Sequence, residues 1–266
     1  MAKRALCVGI NRYPRPEMAL RGCVNDAKAW ATLLTTSYDM TRSDVHLLTD
    51  AQATRARVLR ELGALLAGAR RGDVLVFTNS SHGTYVADAG GDERLYDEAI
   101  VPYDGDDELI VDDDLRTMFA DVPVGVRCTV ISDSCHSGSL TREAFMETPD
   151  HRRKRYVDPA ALGRRSITDV RRRAERRRAT TYPESSMREL LLSGCRADQY
   201  SFDARFGRRH QGAMTHHALA VIAAAGGRLS YAQLHRRLVP ALRDAEYDQE
   251  PQLEGRAAFK RRQVFT

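Results

Sequence analysis

The sequence predicts an α/β fold with a mostly parallel central sheet and helices on both faces. One observation and one topological rule carry this. Over residues 4–135, short apolar runs that read as buried strands alternate with segments of helical periodicity. Strand–helix–strand order brings neighbouring strands parallel through crossover helices, which then cover both faces of the sheet. In order, Arg4–Ile10 reads as a strand and Asn25–Leu34 as a helix with Asn25 as its N-cap. Val45–Leu48 is a strand. Thr54–Ala69 is an amphipathic helix capped by Thr54, with Val58, Leu62, Leu65 and Leu66 on one face. Asp73–Thr78 is a strand, Asp112–Phe119 a short helix and Val124–Ile131 a strand. The pattern breaks over 139–186, which is polar, Arg-rich and read as a mobile loop. It resumes with a strand at Arg188–Leu192 and helices at Ala213–Ala225 and Ser230–Ala245.

The totals bound the class. A chain of 266 residues with 42% apolar and 29% charged residues fits a globular protein. No apolar run approaches the roughly 20 residues that span a bilayer. Met1–Ile10 reads as a first strand rather than a signal peptide, so no membrane partner and a cytoplasmic location are expected. The five cysteines (Cys7, Cys23, Cys128, Cys135, Cys195) include no Cys-x-x-Cys pair, against a disulfide framework or a finger-type zinc site. Cys7 and Cys128 lie in apolar runs and read as inert core. The net charge of +5 is uneven: segment 151–183 carries 12 Lys+Arg against 3 Asp+Glu. Its clusters at 152–155, 164–165, 171–173 and 176–178 are one way to bind phosphate, but no aromatic interleaving or recognition module accompanies them, so nucleic acid is not the expected partner.

The chemistry concentrates at two strand ends. Ile131-Ser132-Asp133-Ser134-Cys135-His136-Ser137-Gly138 puts a thiol in a turn of small residues, and Asn79-Ser80-Ser81-His82-Gly83 puts an imidazole in another. Open α/β sheets bind ligands at the carboxyl ends of their strands. There Cys135 can act as nucleophile and His82 as the base that takes its proton and later protonates a leaving amine. Backbone N–H groups at Gly83 and Cys135 can hold a tetrahedral oxyanion. His216-His217 and Trp30 read as ordinary packing residues.

The same residues carry a resemblance. Leu20-Arg21-Gly22-Cys23-Val24-Asn25-Asp26-Ala27, the His82-Gly83 turn, Asp133–Gly138, Tyr96–Pro102 with Ile110–Leu115, Leu192–Gln199 and Pro251–Gly255 together resemble the metacaspases, caspase-fold cysteine peptidases. Their order resembles the type I members and the related prokaryotic orthocaspases. The resemblance implies a caspase-like fold with a p20-like catalytic core over 1–139, an Arg-rich linker over 140–186 and a p10-like part over 187–266. It implies cleavage after Arg or Lys, with Asp26 and Asp133 as the acidic residues of the primary specificity pocket and Cys23 and Ser80 beside them. Two carboxylates suit a guanidinium or an ammonium and reject an acidic residue. The bland alternative is that Asp26 caps its helix and Asp133 braces a turn.

No cofactor is needed for such chemistry. Family members often hold Ca2+ at positions matching Asp97, Asp112 and Asp113, hard oxygen donors suited to it, so Ca2+ is a candidate activator; the alternatives are a solvated acidic loop, or Asp112 as a helix N-cap. The expected substrates are proteins or peptides with a basic residue before the cut, and the chain's own linker, with Arg153, Lys154, Arg155, Arg165, Arg173 and Arg178 as candidate self-cleavage positions. A monomer is implied. Ser81 stands where the family has a glycine, a strained position if the backbone there needs a positive φ. The rival readings are a catalytically silent caspase-fold regulator or a nucleic-acid binder acting through the Arg clusters.

Overall fold

The structure is a computed structural model that describes residues 1–87, 96–105, 108–135, 152–163 and 183–266. Its centre is a six-stranded sheet. In spatial order it runs β12 (Gln252–Glu254), β9 (Glu189–Ser193), β7 (Arg127–Asp133), β3 (Val74–Ser80), β1 (Lys3–Gly9) and β2 (Val45–Thr49). All neighbours are parallel except β12, which closes one edge antiparallel to β9. Side chains alternate between the faces with period two. Ala5 and Cys7 of β1 point into one core with Val76, Ile131 and Leu190. Leu6 and Val8 point into the other with Leu75, Phe77 and Val130.

Helices cover both faces. The first core takes Trp30 and Leu34 of α1 (Cys23–Ser37), Met214 and Ile222 of α4 (Ala213–Ala224) and Leu234 and Leu238 of α5 (Tyr231–Asp244). The second takes Val58 and Leu62 of α2 (Arg55–Leu66) and Phe119 of α3 (Asp112–Ala120). A last short helix, α6, spans Ala257–Lys260. Thr54 and Ser230 cap α2 and α5, each accepting from the backbone N–H three residues on. Asn25 does not cap α1. That helix begins at Cys23 after Gly22, and the Asn25 amide instead donates to the His210 carbonyl at 2.8 Å. Asp112 is the first residue of α3, not its cap. No helix among the described residues is long and apolar enough to cross a membrane.

Two small antiparallel sheets complete the molecule: β4 (Gly83–Ala87), β5 (Tyr96–Ile100) and β6 (Ile110–Val111); and β11 (Arg209–Gly212), β10 (Phe202–Phe206) and β8 (Arg153–Lys154). The last strand corrects the reading of 139–186 as a loop throughout. Residues 152–163 are built into the fold: β8 pairs with β10, Tyr156 bridges Gly83, and Val157 and Leu162 enter the second core. The physical reason is that backbone pairing and a matched charge pocket hold this stretch, neither of which needs a run of apolar residues. The rest of 140–186 lies outside the described residues apart from 183–186, as do His136, Ser137 and Gly138.

Candidate active site

The site forms where β1, β3 and β7 end, beside the point at which the sheet order reverses between β1 and β3. Register sets its layout: Ser80, the last residue of β3, lies beside Asp133, the last of β7. His82 and Cys135 each follow two residues later, so the two turns project side by side. Asp26 comes from the first turn of α1, the first α-helix after β1.

Asp26 and Asp133 are both fully buried and converge on one side chain, the equally buried guanidinium of Arg155. Arg155 Nη2 donates to Asp26 Oδ2 at 2.5 Å. Nη1 lies 3.2 Å from Asp133 Oδ2 and donates to the Asp133 carbonyl at 2.9 Å. Both carboxylates are pinned from behind. Asp26 accepts the Gly212 N–H at 3.0 Å. Asp133 accepts the Thr215 N–H at 3.0 Å and its hydroxyl at 2.7 Å, and the Ser201 hydroxyl at 2.5 Å. Asp203, also buried, adds a third acidic group and accepts the Arg21 N–H at 2.6 Å. Gly212 is obligatory here: a Cβ would collide with Asp133 Oδ2 and Arg155 Nη1.

This environment shifts the charges. Burial alone would lower Arg155, but the acids Asp133, Asp26 and Asp203 more than offset it and hold the guanidinium charged. Burial pushes Asp26 up to about 7 against the pull of Arg155, with Asp133 adding to the rise. Cys23 is buried beside the pocket, and burial drives its thiol well above the ordinary range. Ser80 is buried and accepts the Ile10 N–H at its carbonyl, 3.0 Å.

The backbone of Arg155 is held as firmly. Its N–H donates to the Ser201 carbonyl at 3.0 Å, and its carbonyl oxygen accepts from two N–H groups, Gly83 at 2.9 Å and Cys135 at 3.2 Å. These are the two donors read from the sequence as an oxyanion pair. Arg153 and Lys154, also read as cut positions, lie elsewhere: Arg153 donates to the Glu17 carbonyl and Lys154 Nζ sits 4.2 Å over the Tyr200 ring. Arg165, Arg173 and Arg178 lie outside the described residues.

His82 is buried, with Nε2 2.7 Å from the Met18 carbonyl. A carbonyl only accepts, so Nε2 carries the proton and Nδ1 keeps its lone pair; Nδ1 has no hydrogen-bond partner among the described residues. Burial lowers the imidazole to about 3, opposed by the Met18 bond and reinforced by Arg153 and Arg155. The Tyr13 hydroxyl accepts the His82 N–H at 3.0 Å, and its ring centroid lies 5.3 Å from the imidazole. The Cys135 thiol is turned towards Ser201, donating to its carbonyl at 3.1 Å and accepting its N–H at 2.5 Å. Among the described residues no hydrogen bond joins Cys135 to His82. Ser81 is not among the positive-φ residues, so the substitution for glycine costs no backbone strain; its hydroxyl donates to the His82 carbonyl at 2.9 Å.

The acidic tract differs from a ready cation cage. Arg116 donates to Asp112 at 2.7 Å and to Asp113 at 3.2 Å, and Asp97 is buried on β5. Among the described residues no group of three or more metal-ligating side chains is placed to hold a metal ion. As arranged, Asp112 and Asp113 each give a carboxylate oxygen to Arg116. His216 stacks on Phe206 at 3.7 Å and His217 packs edge-on against Tyr247; Trp30 is core.

Several site residues were not read from the sequence: Met18, Tyr13, Ser201, Asp203 and Thr215. Asp203 had a usable signal, an acid between the apolar Phe202 and Ala204, but only once that stretch is known to be a strand. The Met18 contribution and the Ser201 contacts to Arg155 and Cys135 are backbone groups, which leave no mark on residue type.

A family model for the metacaspase, peptidase C14 domain matches residues 3–143. The chain belongs to the metacaspase family. Metacaspase-1 of Scheffersomyces stipitis is 31% identical over 94% of this chain and 70% of its own length. Metacaspase-4 of Arabidopsis thaliana is 41% identical over 59% of this chain, a stretch that spans only 39% of that relative. The crystal structure of protein GSU0716 from Geobacter sulfurreducens superposes with a TM-score of 0.74 at 27% identity, covering 100% of this chain and 99% of that one. Metacaspase membership makes this a chain of a cysteine-type peptidase family with a caspase-like fold.

Proposed function

We propose that this metacaspase is a cysteine endopeptidase that cuts after arginine, and that it cuts its own chain between Arg155 and Tyr156. One observation carries the proposal: Arg155 has its guanidinium between Asp26 and Asp133 and its carbonyl oxygen under the Gly83 and Cys135 N–H groups. A substrate arginine needs that same posture, with its charge in the pocket and its scissile carbonyl polarised.

The chemistry follows from the groups present. The Cys135 thiol swings from Ser201 towards the Arg155 carbonyl carbon and gives its proton to Nδ1 of His82. Sulfur attacks, and the developing oxyanion is stabilised by the two N–H groups, whose bonds strengthen as charge grows on oxygen. His82, its other nitrogen held by Met18, returns the proton to the Tyr156 nitrogen, the C–N bond breaks, and a thioester to Arg155 remains. Water, deprotonated by His82, hydrolyses it and restores the thiol. Burial lowers the affinity of His82 for the thiol proton while the linker is seated. The seated linker therefore describes a zymogen whose own cut clears the cleft. Lysine reaches the same carboxylates as a single point charge and is the weaker substrate.

The test is electrophoresis and mass spectrometry of the purified full chain, with hydrolysis of peptides bearing Arg, Lys or Asp before the cut. Wild type should yield two fragments with a new amino terminus at Tyr156, Cys135→Ala should stay one band, and Arg peptides should be hydrolysed best. Cleavage after Asp but not Arg, or a wild-type chain that stays whole while hydrolysing peptides, refutes the proposal.

A further inference from the structure

Resting on that reading, we infer that the cleft carries an aromatic-selective subsite on the leaving-group side of the cut, walled by Tyr85 and Tyr200, so that its preferred bond lies between arginine and an aromatic residue. The Tyr156 side chain occupies this slot and is buried to 5% exposure. Its ring is stacked on Tyr85, centroids 6.1 Å apart and planes 18° from parallel, and tilted against Tyr200 at 5.7 Å. Tyr85 itself is 1% exposed and sits in a small apolar cluster with Tyr156, Cys195 and the nucleophile Cys135. The slot is thus contiguous with the reacting sulfur.

Its position relative to the cut is set by backbone. The Gly83 N–H donates to the Arg155 carbonyl at 2.9 Å, and the Gly83 carbonyl accepts the Val157 N–H at 3.0 Å. One residue of β4 therefore grips the chain on either side of Tyr156 and holds it in parallel register. Tyr85 lies two residues along the same strand, so its side chain emerges on the same face as Gly83. The other wall is tied to the same machinery: Tyr200 directly precedes Ser201, whose carbonyl holds the Arg155 N–H and whose N–H holds the Cys135 sulfur. The Tyr200 ring also carries the Lys154 ammonium at 4.2 Å, a cation–π contact. A residue on each side of the arginine is read by one tyrosine, a basic one before and an aromatic one after.

Any arginine-bearing strand that enters the cleft with this register presents its next side chain to Tyr85 and Tyr200. A flat ring fills the space and stacks. Alanine leaves it empty, and aspartate brings a charge into an apolar enclosure.

The experiment uses internally quenched peptides that share Lys-Arg before the cut and carry Tyr, Phe, Ala or Asp after it, hydrolysed by the wild-type full chain. Tyr and Phe should both be cleaved about tenfold faster in kcat/KM than Ala, as aromatic stacking added to side-chain burial provides, with Tyr ahead of Phe because its hydroxyl bonds Tyr85, and Asp slowest. Tyr85→Leu should compress the tyrosine-to-alanine ratio to within about twofold, since leucine fills volume without stacking. A parallel readout is self-cleavage of the full chain: Tyr156→Phe keeps the ring and loses only the hydroxyl bonded to Tyr85, so it should cut itself within a few-fold of the wild-type rate, while Tyr156→Ala and Tyr156→Asp should slow by more. Equal rates for Tyr, Ala and Asp peptides overturn the aromatic slot and leave arginine specificity standing. A ratio that persists in Tyr85→Leu overturns its assignment to Tyr85. Failure to cut any of the arginine peptides overturns the underlying function, and this subsite with it.

Discussion

Replacing Asp26 by asparagine tests the charge logic of the pocket most directly. The change is nearly isosteric, and an Oδ1 remains to accept the Gly212 N–H. What is lost is the charge opposite Arg155 Nη2, a bond of 2.5 Å between fully buried groups. Hydrogen bonds to charged groups contribute about 1.5–3 kcal/mol, and removing one partner of a buried pair costs about 3–5 kcal/mol. Asp133 stays in place and Asp203 remains nearby, so the middle of the combined range applies, about 2–4 kcal/mol. At about 1.4 kcal/mol per decade this is a loss of roughly 30- to 1,000-fold. The assays are the first-order rate of self-cleavage and kcat/KM on an arginine peptide, with circular dichroism to verify folding. A pH dependence comes with it. Asp26 is raised to about 7, so acid protonates it and removes the charge that the guanidinium pairs with. Arginine binding by wild type should weaken as pH falls from 8 to 6. In Asp26→Asn that part of the profile should flatten, because no proton is left to bind there. A folded Asp26→Asn that loses less than about fivefold, or that keeps the wild-type pH profile, refutes the pairing argument.

Other outcomes follow from the same geometry. Gly212→Ala should abolish self-cleavage in a folded chain, because the added methyl collides with Asp133 and Arg155; unimpaired processing on a gel would show that the arginine does not seat there. Arg116→Ala removes the cation that Asp112 and Asp113 share, so calorimetric titration should show Ca2+ binding tighter than in wild type, and identical titrations would remove the acidic tract as a cation site.

Much of the fold was legible because long apolar runs were available to read. The parallel strands and α2, α3, α4 and α5 lie within a few residues of their expected places. The short strands β4–β6, β8 and β10–β12 were not read, since they are polar or few in residues and draw their stability from pairing with distant partners. Val124, placed in a strand by its apolar character, is 67% exposed in the turn before β7, where Gly125 has φ +94°.

Residue types and their order were enough to mark Cys135, His82 and the Gly83 and Cys135 N–H pair, because chemistry demands those groups at strand ends; Asp26 with Asp133 was implied by the resemblance to the metacaspases. The sequence also marked a basic linker with several equivalent arginines. Which of these enters the pocket is a tertiary fact. Arg155 is buried because Asp26, Asp133 and Asp203, far apart along the chain, meet at one point, and because β10 and Gly83 hold the linker backbone in register. Burying a guanidinium is unfavourable everywhere that such partners are missing, so only the assembled structure could single it out.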